Sequence, residues 1–137
     1  MCATRSRVKQ GALPLAALLL TLVVASGCRT APILAIRGAP LPTAPGGATQ
    51  DQLDEAIWRA GRKLGWKIER IRPGLLRGTL RFKRHVAVVS ISHDGRTMNI
   101  DYEDSENLLY SGERIHHNYN ELVKKLAARI QQEPLTR

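Results

Sequence analysis

From Gly11 to Gly27 the chain is one uncharged run rich in Leu, Ala and Val. Arg5, Arg7 and Lys9 precede it, and the small residues Ser26-Gly27 close it just before Cys28. A charged start, an apolar middle and small residues at a cut predict a secretory signal over residues 1–27. The run is also about as long as the roughly 20 residues of a membrane-spanning helix, so an uncleaved anchor is the alternative. Pro14 and the small residues at the end favour cleavage. After Cys28 the pattern vanishes. Residues 28–48 carry Pro32, Pro40, Pro42, Pro45 and Gly46-Gly47 with scattered aliphatics. That composition predicts a flexible tether spanning about 25 Å.

Periodicity returns at Thr49. Thr49 and Gln52 have capping-box spacing and open a predicted helix. Leu53, Ile57, Ala60 and Leu64 recur at steps of four, three and four, which places them on one stripe. Acidic Asp51, Asp54 and Glu55 come early and basic Arg59, Arg62 and Lys63 late, as the helix dipole favours. Gly65 is the predicted stop. Gly61, inside the helix, costs about 1 kcal/mol relative to Ala and predicts close approach of a strand or the other helix.

The period then switches to two. Trp66 to Glu69 alternates, and Pro73-Gly74 marks a turn. Leu76, Gly78, Leu80 and Phe82 alternate with Arg77, Thr79, Arg81 and Lys83. Ala87, Val89 and Ile91 lead to Asp94-Gly95, a strong hairpin signal, and Met98, Ile100 and Tyr102 follow. A two-residue Asp94-Gly95 loop sets His93 against Arg96, Ile91 against Met98, Val89 against Ile100 and Ala87 against Tyr102. All the apolar residues then share one face, which a one-residue slip would destroy. An acidic loop is expected over Asp101–Glu106. A last helix is expected from Asn118, with Glu121 completing a capping box and Tyr119, Leu122, Val123, Leu126 and Ile130 as its buried stripe. Pro134 lies past its end.

These elements predict an α+β, two-layer sandwich over residues 49–133: an antiparallel meander of three or four strands, with an N-terminal and a C-terminal helix on one face. Residues 134–137 are a tail. At this size the core is near the lower limit for independent folding.

Charge changes the picture more than composition does. Without the leader's Arg5, Arg7 and Lys9 the chain keeps 18 Lys and Arg against 12 Asp and Glu. Between Arg59 and Arg84 ten residues are basic and one, Glu69, is acidic. Arg77, Arg81 and Lys83 fall on the predicted solvent side of one strand, with Arg84 beside them. That makes them candidates for binding an anionic partner: anionic lipid, lipopolysaccharide phosphate or an envelope protein. The bland reading is a solvated face kept basic to blunt edge pairing. Nucleic acid suits the charge but not the compartment.

The run Val24-Ala25-Ser26-Gly27-Cys28 resembles the lipobox of bacterial lipoproteins. The resemblance implies cleavage before Cys28, a diacylglycerol on its sulfur and an acylated amino end. Arg29 rather than Asp follows the cysteine, which implies the periplasmic face of the outer membrane. Cys2 leaves with the signal and Cys28 is spent on lipid, so no thiol remains for a disulfide, a metal or catalysis. Gly65-Trp66, Asp101-Tyr102, Ser105, Asn107-Leu108, Tyr110 and the run Ile115-His116-His117-Asn118-Tyr119-Asn120 resemble a family of small, uncharacterised proteobacterial lipoproteins. Members of that family often carry Trp where this chain has Leu122. The resemblance carries no activity with it.

Other chemistry is weaker. His116 and His117 are adjacent, but zinc needs three or four ligands at workable spacing. His85 and His93 lie in or beside predicted turns. The structural reading is that Ile115 packs, Asn118 caps, and Tyr119 enters the core with its hydroxyl bonded. Ser105 lacks elbow glycines and a histidine partner. No metal and no cofactor are expected. The sequence thus points to a non-enzymatic binding or assembly module. The alternatives are a small hydrolase or metal-dependent enzyme using His116, His117 and the acidic loop, and a structural subunit that pairs by an edge strand.

Overall fold

The computed structural model describes residues 29–136; the expected signal over residues 1–27 and Cys28 lie outside them. The elements are β1 (Thr30–Pro32), β2 (Ile36–Pro40), α1 (Gln50–Lys63), β3 (Lys67–Arg72), β4 (Leu75–Phe82), β5 (His85–His93), β6 (Thr97–Glu106), β7 (Arg114–His116) and α2 (His117–Gln132). The fold is α+β. A five-stranded antiparallel sheet has the order β2-β6-β5-β4-β3, and β1 and β7 form a two-stranded sheet. β3 to β6 are the expected meander.

β1 and β2 correct the expected tether. Thr30 pairs with His116 and Pro32 with Arg114, while Ile36 pairs with Ile100 and Ala39 with Met98. Proline and glycine are tolerated here because β2 is an edge strand with a register irregularity. Leu41, at its end, is buried and donates its N–H to the Arg96 carbonyl at 2.9 Å.

α1 opens as expected, with both halves of the Thr49–Gln52 capping box formed. Leu53, Ile57 and Ala60 are fully buried, whereas Leu64 is the C-cap and exposed. Gly65 follows with φ +83. α1 packs on β3 and β4, α2 packs on β2 and β7, and the helices touch each other. Gly61 permits the α1–β3 approach. A Cβ there would stand 2.6 Å from Ile68 Cδ1, and closer still to Cγ1.

Two-residue turns organise the meander. Pro73-Gly74 joins β3 to β4, with Gly74 at φ +77 in the place a type II turn reserves for glycine. Lys83-Arg84 joins β4 to β5. The β5–β6 hairpin departs from its expected register. Gly95-Arg96 are its central residues, with Asp94 opposite Thr97, so Ile91 faces Ile100 and His93 faces Met98. The cause is local: Asp94 Oδ1 accepts from the N–H groups of Arg96 and Thr97, both at 2.8 Å, and Gly95 supplies φ +94 at the first central position. The slip is two residues, so face parity survives. Ile91, Ile100, Leu126 and Ile130 are all fully buried in one core.

The expected acidic loop is strand. β6 continues to Glu106 with a bulge that leaves Glu103 unmatched between Tyr102 and Asp104. α2 also starts earlier than expected. Its N-cap is His116, whose Nδ1 accepts from the Asn118 N–H at 3.2 Å; Asn118 is not the cap. The β1–β7 ladder holds the chain extended up to His116, which leaves that residue at the strand-to-helix corner. Tyr119 is buried, but among the described residues its hydroxyl has no partner. Burial, then Tyr102 and Asp101, push its pKa up.

Residues 134–136 dock rather than trail. Arg59 Nη2 donates to the Pro134 carbonyl at 2.7 Å, and Leu135 packs against the core. Beside them Glu133, 2% exposed, takes Lys63 at 2.8 Å and Arg59 at 3.3 Å.

Candidate functional site

Arg77 and Arg81 share the open face of β4, but Lys83 and Arg84 do not join them. Arg77 lies on the open side of the sheet, but its Nε donates to Glu103 Oε1 at 2.7 Å. That bond and the charge of Glu103 raise the Arg77 pKa. Arg77 is also directly opposite Glu69 on β3. Two strands over, past Ser90 of β5, Asp101 of β6 pairs with Arg37 of β2. The row across the sheet therefore alternates in sign. Arg81 remains exposed, opposite Val86. Lys83 and Arg84 leave the strand altogether. The hairpin needs both as its turn, and Lys83 takes φ +53. Strand parity aligned Lys83 with Arg77 on the assumption that the strand continued, and it ends at Phe82.

The histidines converge more than their spacing foretold. His116 and His117 stack with centroids 4.6 Å apart, and His85, at the start of β5, lies 6.5 Å from His116. Each Nδ1 is engaged. His85 Nδ1 bonds the Asn107 carbonyl at 2.7 Å, His116 Nδ1 caps α2, and His117 Nδ1 reaches the Arg29 carbonyl at 3.3 Å. Burial first, then the charges of His117, His85 and Arg29, lower the His116 pKa. Among the described residues no three His, Cys, Asp or Glu side chains are placed to hold one metal ion. Ser105 Oγ bonds the Tyr102 hydroxyl at 3.0 Å rather than a histidine.

The motif Ile115–Asn120 acquires a physical role. Ile115 and Tyr119 anchor it in the core. His116, His117 and Asn120 grip the segment that follows Cys28. His117 N–H donates to the Arg29 carbonyl at 3.0 Å. The Asn120 side chain donates to the Pro32 carbonyl and accepts from the Leu34 N–H, both at 2.9 Å. Arg114 Nη2 adds a bond to the Thr30 carbonyl at 2.8 Å. The motif is a clamp on the residues that follow Cys28.

Two polar features gave no sequence signal. His93, its side chain wholly buried, bonds Asp54 Oδ1 through Nε2 at 2.7 Å, and Arg70 Nε bonds Asp54 Oδ2 at 2.7 Å. This cluster ties α1 to both hairpins, and its histidine is enclosed away from any substrate. On α1, Trp58, Arg59, Arg62 and Lys63 line a shallow basic depression, with the Arg62 guanidinium 4.5 Å from the Trp58 ring centre. No family model, curated protein or solved structure matches the chain.

Proposed function

We propose that this chain is a lipid-anchored, non-enzymatic binding or assembly module of a bacterial envelope, held at the periplasmic face of the outer membrane through Cys28. The observation that carries the reading is the clamp. A lipobox-like run ends at Cys28, and the next residue, Arg29, is already gripped by the Ile115–Asn120 motif. A device that fixes the chain at this point has an evident purpose if the anchor is there.

The edge-strand alternative has less support. β3 reads Lys-Ile-Glu-Arg-Ile-Arg and carries a register irregularity, and β2 carries another together with Pro40. Charge, bulges and proline are the usual means of discouraging edge pairing. In the hydrolase alternative His116 and His117 would have to act through Nε2, since both Nδ1 atoms are committed to backbone.

Metabolic labelling with palmitate in the native host tests the anchor. The wild type should carry label and fractionate with outer membrane. Cys28→Ala should carry none and accumulate as uncleaved precursor. A wild type without label ends the proposal.

A further inference from the structure

We propose that the end of the domain bearing Arg29, Lys83, Arg84 and Arg114 docks on the anionic headgroups of the same bilayer that takes the Cys28 acyl chains. This rests on the lipoprotein reading and adds an orientation to it.

The first argument is the missing slack. A free tether of residues 28–48 would let the domain tumble about 25 Å from the surface. Instead the Arg29 carbonyl already accepts from His117, and the chain continues directly into β1, paired with β7. Neighbouring Cα atoms are about 3.8 Å apart, so a lipid on Cys28 leaves the chain within one residue of the clamp. Whichever surface surrounds Arg29 must therefore face the membrane.

That surface can be traced by contact. Arg114 reaches Thr30, His117 reaches Arg29, His117 stacks on His116, and His116 neighbours His85. His85 closes the Lys83-Arg84 turn, and Asn107 bonds both His85 and the Arg84 carbonyl. Within residues 29–30, 83–85 and 106–117 the acids are Glu106 and Glu113, against four cations; Glu121, near His117, is paired with Lys124. Such a balance favours lipid phosphate, because basic residues beside an anionic leaflet are drawn to it.

The second argument is exposure under strain. Among the described residues the non-glycine positions with positive φ are Lys83 (+53), Asn107 (+57) and Leu109 (+54), and all lie at this end. Asn tolerates left-handed backbone, but at Lys and Leu it is unfavourable, and such strain concentrates where function demands it. Leu109 is 56% exposed and Tyr110, stacked on Tyr102, is 46% exposed. A tyrosine with an apolar neighbour suits the headgroup boundary. The loop holding them is fastened by His116 N–H to the Leu108 carbonyl at 2.7 Å.

The test is amide hydrogen exchange on the full lipidated protein in vesicles. One set is phosphatidylcholine alone; the other includes phosphatidylglycerol at about one part in four. With anionic lipid, exchange in the Lys83-Arg84 turn and in residues 107–113 should slow about fivefold or more. The Gly95-Arg96 turn, at the other end of β5, should not change. Protection should vanish at about 1 M salt, where screening acts over about 3 Å. The pair Lys83→Gln with Arg84→Gln should weaken it; should that variant fail to fold, the wild-type comparison stands alone. Equal exchange in both vesicle types overturns the docking. So does protection that ignores salt and lipid charge, which would mark contact with protein. The mass of the same sample separates the two readings. Without lipid on Cys28 both fall; with lipid and no protection, only the docking falls.

Discussion

Gly61 is where α1 and β3 come closest, and Gly61→Ala measures what that approach is worth. In an exposed helix the substitution would stabilise by about 1 kcal/mol. Here the new methyl would stand 2.6 Å from Ile68 Cδ1, nearer to Cγ1, and 3.5 Å from Trp66 Cβ. Ile68 cannot easily retreat: it is 6% exposed and held within the core cluster. Overpacking of this kind costs about 1–3 kcal/mol. Set against the propensity gain, the net destabilisation should be about 0–2 kcal/mol. The sharper measurement is the cycle with Ile68→Ala. Alone that change costs about 2–5 kcal/mol. In the Gly61→Ala background part of its cavity is filled and the clash is gone. The double variant should therefore be more stable than the sum of the singles by about 1–3 kcal/mol. Urea unfolding of all four proteins gives the coupling. If Gly61→Ala stabilises by the full helix increment and the two changes add to within about 0.5 kcal/mol, the packing argument is wrong.

Ile91, Ile100, Leu126 and Ile130 share one core, so truncating any of them to Ala should cost about 2–5 kcal/mol; four unchanged melting curves would contradict that packing. Glu133→Gln should cost about 1.5–3 kcal/mol at pH 7, because the carboxylate holds Lys63 and Arg59 together. The Lys63 bond comes first among the causes that lower the Glu133 pKa. Its contribution is thus present above the ordinary carboxylate value, about 4.3, and is lost as pH falls through the lower folded value. A gap between wild type and Gln variant that is the same at neutral pH and in strong acid would refute this. His116 behaves in the opposite chemical sense but with the same slope. Folding disfavours its proton, so stability should drop as pH falls through about 6.5 and level off below the folded value. His116→Asn keeps a capping acceptor and should flatten that drop; urea midpoints on either side of the window decide it.

The α1 cap, the Pro73-Gly74 turn and the faces of the meander were legible because they depend on neighbours in sequence. Thr49 meets Gln52 across one turn, Gly65 and Gly74 carry positive φ, and alternation assigns each strand residue to a side. Parity even survived an error in the hairpin, since a slip of two residues restores the same face. Other features depended on partners far along the chain. Thr30 and Pro32 become strand only because Arg114 and His116 satisfy their backbone, and a proline-rich segment without such a partner reads as coil. Lys83 could be placed on a face or in a turn only once Phe82 was seen to pair with His85. His85 joins His116, and Glu133 gathers Lys63 and Arg59, through packing that leaves no period in the sequence. Local periodicity determines which side of an element is wet. Which elements meet, and so which charges cancel and which are left free, is decided by burial summed over the whole fold.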